Sequence, residues 1–231
     1  MKLIDIKQIR GTITLKSGLH IGAGDMEMKI GGTDNPVIKH PHTQQPFIPG
    51  SSLKGKVRAL LEMKSGLMAK TGGNPLKPTD LKDASEKERA EGEKILRLFG
   101  SGGAEDEARE VLGPTRVSFA DAFLNPEWKM LADENQWPLT EVKSENSINR
   151  IKGTAEHPRF TERVPSETVF DFSVTLKRME GDEGLEDFLL SGLKLLQLDA
   201  LGGNGSRGYG KVAFQFQDEA TQRRFDEIIP L

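Results

Sequence analysis

Cysteine is missing from all 231 residues, which excludes disulfides and Cys-ligated zinc and sets the expectation of a cytoplasmic protein. No run of eighteen apolar residues occurs, so neither a membrane span nor a membrane partner is expected. The opening stretch MKLIDIKQIR lacks an apolar h-region and reads as a strand rather than a signal peptide. Aromatic residues are scarce, with a single tyrosine and two tryptophans, and neither aromatic RNP sequence is present. Base stacking on an open sheet face is therefore not expected. The net charge of −3 speaks weakly against a nucleic-acid binder, but the average hides an asymmetry. Residues 1–64 hold ten Lys/Arg against five Asp/Glu, whereas residues 79–110 hold six against ten. Phosphate binding follows the local field rather than the total.

Periodicity supplies the elements. Leu3 to Leu15 alternates apolar and polar, with a phase slip near Gln8–Gly11 that predicts a bulge. A Gly- and Pro-rich excursion follows to about Gly50. Ser51 then reads as an N-cap, and Leu53, Val57, Leu60 and Leu61 form a helical stripe to about Lys64. Residues 65–113 form an acidic insertion with one helix ending at Ile95–Phe99, before Gly100. Strands are expected over Arg116–Phe123, Val169–Leu176 and Tyr209–Phe216. An apolar helix is expected over Leu185–Leu198, and a short closing helix over Glu219–Ile229. Without its insertions the order is β–α–β–β–α–β, an α+β, ferredoxin-like (RRM-like) core in which two helices cover one face of a four-stranded antiparallel sheet. That fold hosts many functions and decides none of them.

Three segments carry candidate chemistry. Between the second helix and the last strand, five of the nine residues from Gly202 to Gly210 are glycine. Such a run lets backbone N–H groups face one anion, and Arg207 and Lys211 add charge. Gly203, Asn204, Gly205, Ser206, Arg207 and Gly208 are thus candidate RNA contacts; the competing reading is a tight helix-to-strand connection. The loop is neither a Walker motif nor a dinucleotide fingerprint.

In the second segment, Pro49 to Arg58, a helix N-terminus offers free amides and a positive dipole end. Ser51, Ser52, Lys54, Lys56 and Arg58 are the candidates there, set against an ordinary solvated basic face. The third segment, Gly31-Gly-Thr-Asp34-Asn-Pro, holds a lone carboxylate that is either an Asx-type turn residue or a functional acid. His40 and His42 resemble a metal-ligand pair, but no third ligand is near in sequence. His20, at the end of the first strand, is either packed or an RNA contact.

Taken in order, Leu19–Gly22, Gly31–Ile38, Phe47–Lys56 and Gly202–Gly210 resemble the RAMP superfamily of CRISPR proteins. Ser144–Ile151 and Glu162–Pro165 sharpen the likeness to the repeated backbone subunit of the type III-A (Csm) interference complex. The resemblance implies one RAMP domain over residues 1–231, with insertions at about 20–50 (active-site loop), 65–113 (helical and acidic) and 124–167. It implies stacking with other copies in a helical filament along the guide RNA and contacts with other Csm subunits. It further implies a thumb-like hairpin, placed at 124–167, that disrupts the guide–target duplex at every sixth nucleotide. Arg150 and Arg163, in the last two segments, join His20 as expected RNA contacts.

The family cleaves target RNA at six-nucleotide intervals with a divalent metal (Mg²⁺ or Mn²⁺), and its essential aspartate corresponds to Asp34. The expected reaction is attack by a ribose 2′-hydroxyl on the adjacent phosphate, with Asp34 as general base or as a ligand to the metal, directly or through water. One carboxylate makes a poor cage, so such a metal is expected to bind weakly. The alternatives are a non-catalytic RNA scaffold and an endonuclease that processes precursor guide RNA.

Overall fold

The computed structural model describes residues 2–24, 35–102 and 112–231. Along the described chain run β1 (Leu3–Leu15), α1 (Gly50–Lys64), α2 (Leu67–Lys70), a 3₁₀ turn (Pro78–Leu81) and α3 (Glu86–Phe99). They are followed by β2 (Val117–Phe119), α4 (Pro126–Glu134), β3 (Glu141–Ile148), β4 (Ala155–Arg163) and β5 (Val169–Met179). The chain closes with α5 (Leu185–Leu198), a 3₁₀ turn (Gly205–Arg207), β6 (Val212–Phe216) and α6 (Glu219–Glu227).

Four strands form an antiparallel sheet in the order β2-β5-β1-β6, the ferredoxin-like arrangement expected from the element order. The bulge expected near Gln8–Gly11 is absent, because β1 pairs with β5 without a break from Asp5 to Thr14. The phase slip has another cause: Ile4 and Ile6 face outward, while Ile9, Ile13 and Leu15 line the core. The even positions Phe170, Phe172, Val174 and Leu176 of β5 are buried in the same core, as period-two alternation requires.

Helices α1 and α5 pack against each other through Leu53, Val57 and Leu61 on one side and Leu189, Leu193 and Leu196 on the other. Phe214 and Phe216 of β6 meet Phe172 of β5 and Phe225 of α6 edge-on, the closest pair being Phe216–Phe225 at 4.9 Å. Burial of each such ring is worth about 1.5–3 kcal/mol.

The insertion over residues 65–113 carries more structure than one helix. Its main element, α3, is started by a capping box in which Ser85 Oγ accepts from the Glu88 amide and the Glu88 carboxylate accepts from the Ser85 amide. Ile95, Leu96, Leu98 and Phe99 then join the main core. In the later insertion, β3 and β4 form a separate two-stranded hairpin. Val142, Ile148, Ile151 and Phe160 are exposed on it, so the hairpin stands off the core instead of packing into it. Among the described residues, no helix is long and apolar enough to cross a membrane.

Candidate nucleic-acid interface

The first strand runs directly into the site. Past its end, Leu19 pairs with Val164, and the His20 Nδ1 lies 2.7 Å from the Glu162 carbonyl oxygen. Next, Ile21 and Ala23 exchange backbone hydrogen bonds with Ile38 and Pro36. The segment from Asn35 to Lys39 is therefore stitched to the strand end on one side. On the other side it is stitched to the hairpin: the Glu162 amide donates to the Asn35 carbonyl at 3.1 Å.

The carboxylate of Glu162 completes that seam, accepting from the Val37 amide at 2.9 Å and from the Lys39 ammonium at 2.6 Å. Burial alone would raise its pKa, but the Lys39 ammonium, the Val37 amide and Thr140 more than offset this and hold the carboxyl below its ordinary value. Asp34 itself, with Gly31 and Gly32, lies outside the described residues; its neighbour Asn35 is the first anchored position after it.

The glycine-rich loop sits against the same strand end. The Gly203 amide donates to the His20 carbonyl, the Gly210 amide to the Gly18 carbonyl and the Leu201 amide to the Gly210 carbonyl, each at 2.9 Å. Gly210 is fixed by sterics, since at φ 72° a Cβ there would lie 1.9 Å from the Leu201 oxygen. The amides of Arg207 and Gly208 close the 3₁₀ turn onto Asn204 and Gly205. The expected fan of free amides around one anion is thus corrected: the amides of Gly203, Arg207, Gly208 and Gly210 are spent inside the chain. What the loop exposes is Gly202, Gly203, Ser206, Gly208 and the side chain of Arg207, with Asn204 and Gly205 half-buried. Lys211 turns away as well, its ammonium donating to the carbonyls of Leu198 and Asp199 at the end of α5.

A charged junction joins this loop to the hairpin. The Tyr209 ring is fully buried, with the Lys143 ammonium 4.7 Å and the Arg163 guanidinium 5.0 Å from its centroid. Its hydroxyl donates to Glu145 at 3.2 Å. The same carboxylate accepts from Arg207 at 2.5 Å and pairs with Lys143 at 3.1 Å. Arg163 donates to Glu141 at 2.7 Å. Arg163 and Arg207, expected as RNA contacts, therefore also tie the hairpin to the glycine-rich loop, whereas Arg150 is exposed in the hairpin turn.

The start of α1 departs from expectation. The N-cap is Pro49, and Ser51 belongs to the first turn. The Gly50 amide donates to the Asp121 carboxylate at 2.7 Å, so a carboxylate already meets the positive end of the helix. Arg58, expected as a phosphate contact, is engaged within the chain. Its guanidinium donates to Glu62 at 2.7 Å, to the Gly100 carbonyl at 3.0 Å and to the Leu76 carbonyl at 2.8 Å, clamping the acidic insertion onto α1. Lys56 pairs with Asp199 at 2.6 Å, beside the glycine-rich loop. Lys54 is half-buried, Ser51 exposed and Ser52 half-buried, and Lys54 has no ion pair among the described residues.

His40 serves a turn, its Nδ1 accepting from the amides of His42 and Thr43. Among the described residues, no three His, Asp or Glu side chains converge as a metal-binding set. Reading motifs alone missed Glu145, Lys39 and Tyr209 as organisers. The one signal available for Tyr209 was a large aromatic enclosed in a glycine run.

Comparison with known proteins agrees with this geometry. The RAMP superfamily model matches residues 12–213. A protein of Streptococcus thermophilus described as "CRISPR system Cms endoribonuclease Csm3" is 43% identical over 88% of this chain and 84% of its own length. The protein of the same description from Methanocaldococcus jannaschii is 39% identical over 90% of this chain and 77% of its own. Among solved structures, a Csm3–Csm4 subcomplex of the type III-A CRISPR-Cas interference complex aligns with a TM-score of 0.54 at 29% identity, covering 93% of this chain and 78% of that one. The family match runs from the last residues of β1 into the start of β6 and takes in the strand end, the hairpin and the glycine-rich loop, so the chain belongs to the RAMP superfamily and, within it, to the Csm3 family.

Proposed function

We propose that this chain is the guide-RNA-binding backbone subunit of a type III-A CRISPR interference complex and that it cleaves complementary target RNA at six-nucleotide intervals. Other copies of the chain and other Csm subunits are its partners in that assembly. The observation that carries the reading is the convergence, at one end of the sheet, of His20, residues 35–39, the base of the β3–β4 hairpin and the glycine-rich loop. Membership of a family whose relatives are described as endoribonucleases supports the same reading.

Exposed and half-buried side chains supply the grip: Ser206 and Arg207 in the glycine-rich loop, Ser51, Ser52 and Lys54 at the start of α1, and Arg150 in the hairpin turn offer donors and charge to the phosphate backbone. Sequence choice is left to guide–target pairing. For chemistry, the ribose 2′-oxygen attacks the adjacent phosphorus, the 5′-oxygen leaves, and Asp34 stands one residue before the anchored Asn35. Asp34 accepts the 2′-proton or orients water on a divalent ion, and such an ion would neutralise developing phosphate charge. The hairpin is the element that would displace a nucleotide from the duplex and bring the 2′-oxygen into line.

The test is Asp34→Ala in the assembled complex. The expected result is loss of target cleavage with guide RNA retained. Cleavage at the wild-type rate would overturn the nuclease reading and leave a scaffold.

A further inference from the structure

One carboxylate stands among the cations that the interface would offer to RNA. Glu145 lies on β3, yet its side chain reaches the glycine-rich loop, accepting from Arg207 and from the buried hydroxyl of Tyr209 while pairing with Lys143. Arg163 lies over the same tyrosine ring, and Arg159 stands opposite Glu145 in the hairpin register. A carboxylate and a phosphate present the same face to a guanidinium, two oxygens in a plane matched to its fork. The Glu145 side chain is 18% exposed and that of Arg207 49% exposed. The arginine is therefore about half open to solvent, so a second anion can reach it.

We propose that Glu145 is a positioning residue that occupies, in the RNA-free chain, the anion position an RNA phosphate takes on Arg207, so that the Arg207 tie between hairpin and glycine-rich loop holds until RNA exchanges with it. The inference rests on the RNA-binding reading given above and goes beyond it by assigning a self-competing acid within the grip. While that tie holds, Arg207 is shared between Glu145 and Asn204, whose side-chain oxygen lies 2.8 Å away. When a phosphate takes over, Glu145 keeps Lys143 and Tyr209 as partners, so the exchange leaves no buried orphan. The consequence is that bound RNA removes one of the two bonds by which Glu145 ties β3 to the loop and leaves the Tyr209 bond in place.

The experiment uses the full chain and a labelled, unstructured single-stranded RNA, with binding measured against salt for wild type, Glu145→Gln, Arg207→Ala and the double variant. Glutamine keeps the size and the Tyr209 hydrogen bond but removes the competing charge. Glu145→Gln is expected to bind roughly threefold to tenfold tighter, with a salt slope steeper by about one. Arg207→Ala is expected to bind weaker, and adding Glu145→Gln to it should change nothing further, because the two act as one unit. Amide exchange over residues 141–163 should rise in Glu145→Gln and, on adding RNA, in wild type.

Wild-type affinity and slope in Glu145→Gln, or an additive double variant, would overturn the exchange while leaving RNA binding intact. A wild-type chain that binds no RNA at low salt would overturn the functional reading and this inference together.

Discussion

Glu162 and Lys39 form a 2.6 Å ion pair across the seam between the hairpin and the segment that follows Asp34. Glu162 is 8% exposed, and the same carboxylate holds the Val37 amide, so it joins two stretches that are distant in sequence.

The pH dependence of that seam follows from its sign. The folded pKa of Glu162 is held below the ordinary carboxylate value, so its contribution is present above the unfolded value of about 4.3. It is lost as pH falls through the lower folded value. Thermal melts below about pH 4.3 should therefore show a smaller drop in Glu162→Gln than in wild type. Equal drops would remove Glu162 from the acid response.

Arg58 separates fold from function. Arg58→Ala leaves the buried Glu62 without its guanidinium partner and frees the Gly100 and Leu76 carbonyls. The expected cost is about 3 kcal/mol, a fall in Tm of roughly 6–12 °C. The salt slope of RNA binding should not change. A slope reduced by about one would return Arg58 to the phosphate contacts.

Lys54 and Arg150 make the opposite pair of predictions. Lys54, half-buried and without an ion pair among the described residues, and exposed Arg150 should each tolerate Ala with a stability change within about 0.5 kcal/mol. Each substitution should weaken RNA binding whatever the RNA sequence and lower the salt slope by about one. Fluorescence titration at several salt concentrations decides the matter.

Two glycines of one loop should behave differently. Gly210→Ala drives a methyl into the Leu201 carbonyl at positive φ, and a loss of about 3 kcal/mol or more is expected. Gly208→Ala also has positive φ but meets open space, with a cost of about 1 kcal/mol. Denaturant melts that rank them the other way would contradict the described loop.

The main sheet and its two covering helices were legible because their alternation is strong. In β5, Phe170, Phe172, Val174 and Leu176 fall on one face, and in α5 Leu185, Leu189, Leu193 and Leu196 form a stripe. The hairpin was legible only as an inserted stretch. Its strands carry Glu141, Lys143, Glu145, Arg159 and Arg163 on a partly exposed ribbon, and such residues give no period against a core.

The site was read unevenly for a related reason. A basic residue on a helix face looks the same whether it meets phosphate or a carbonyl from an inserted segment. Thus Lys54 and Arg58, four apart, appeared equivalent until Leu76 and Gly100 were placed beside one of them. Conversely, Glu145 was invisible because a cross-fold partner sixty-two positions away leaves no local trace.

The double stitching of residues 35–39 has a mechanical consequence. One side of that short segment is bonded to the end of the first strand, which the central sheet holds rigid, and the other to the base of the hairpin. The hairpin is then the long arm of a lever whose fulcrum is the seam at Glu162. A load applied at its tip is therefore felt as torque on the backbone of residues 35–39, not as bending of the central sheet.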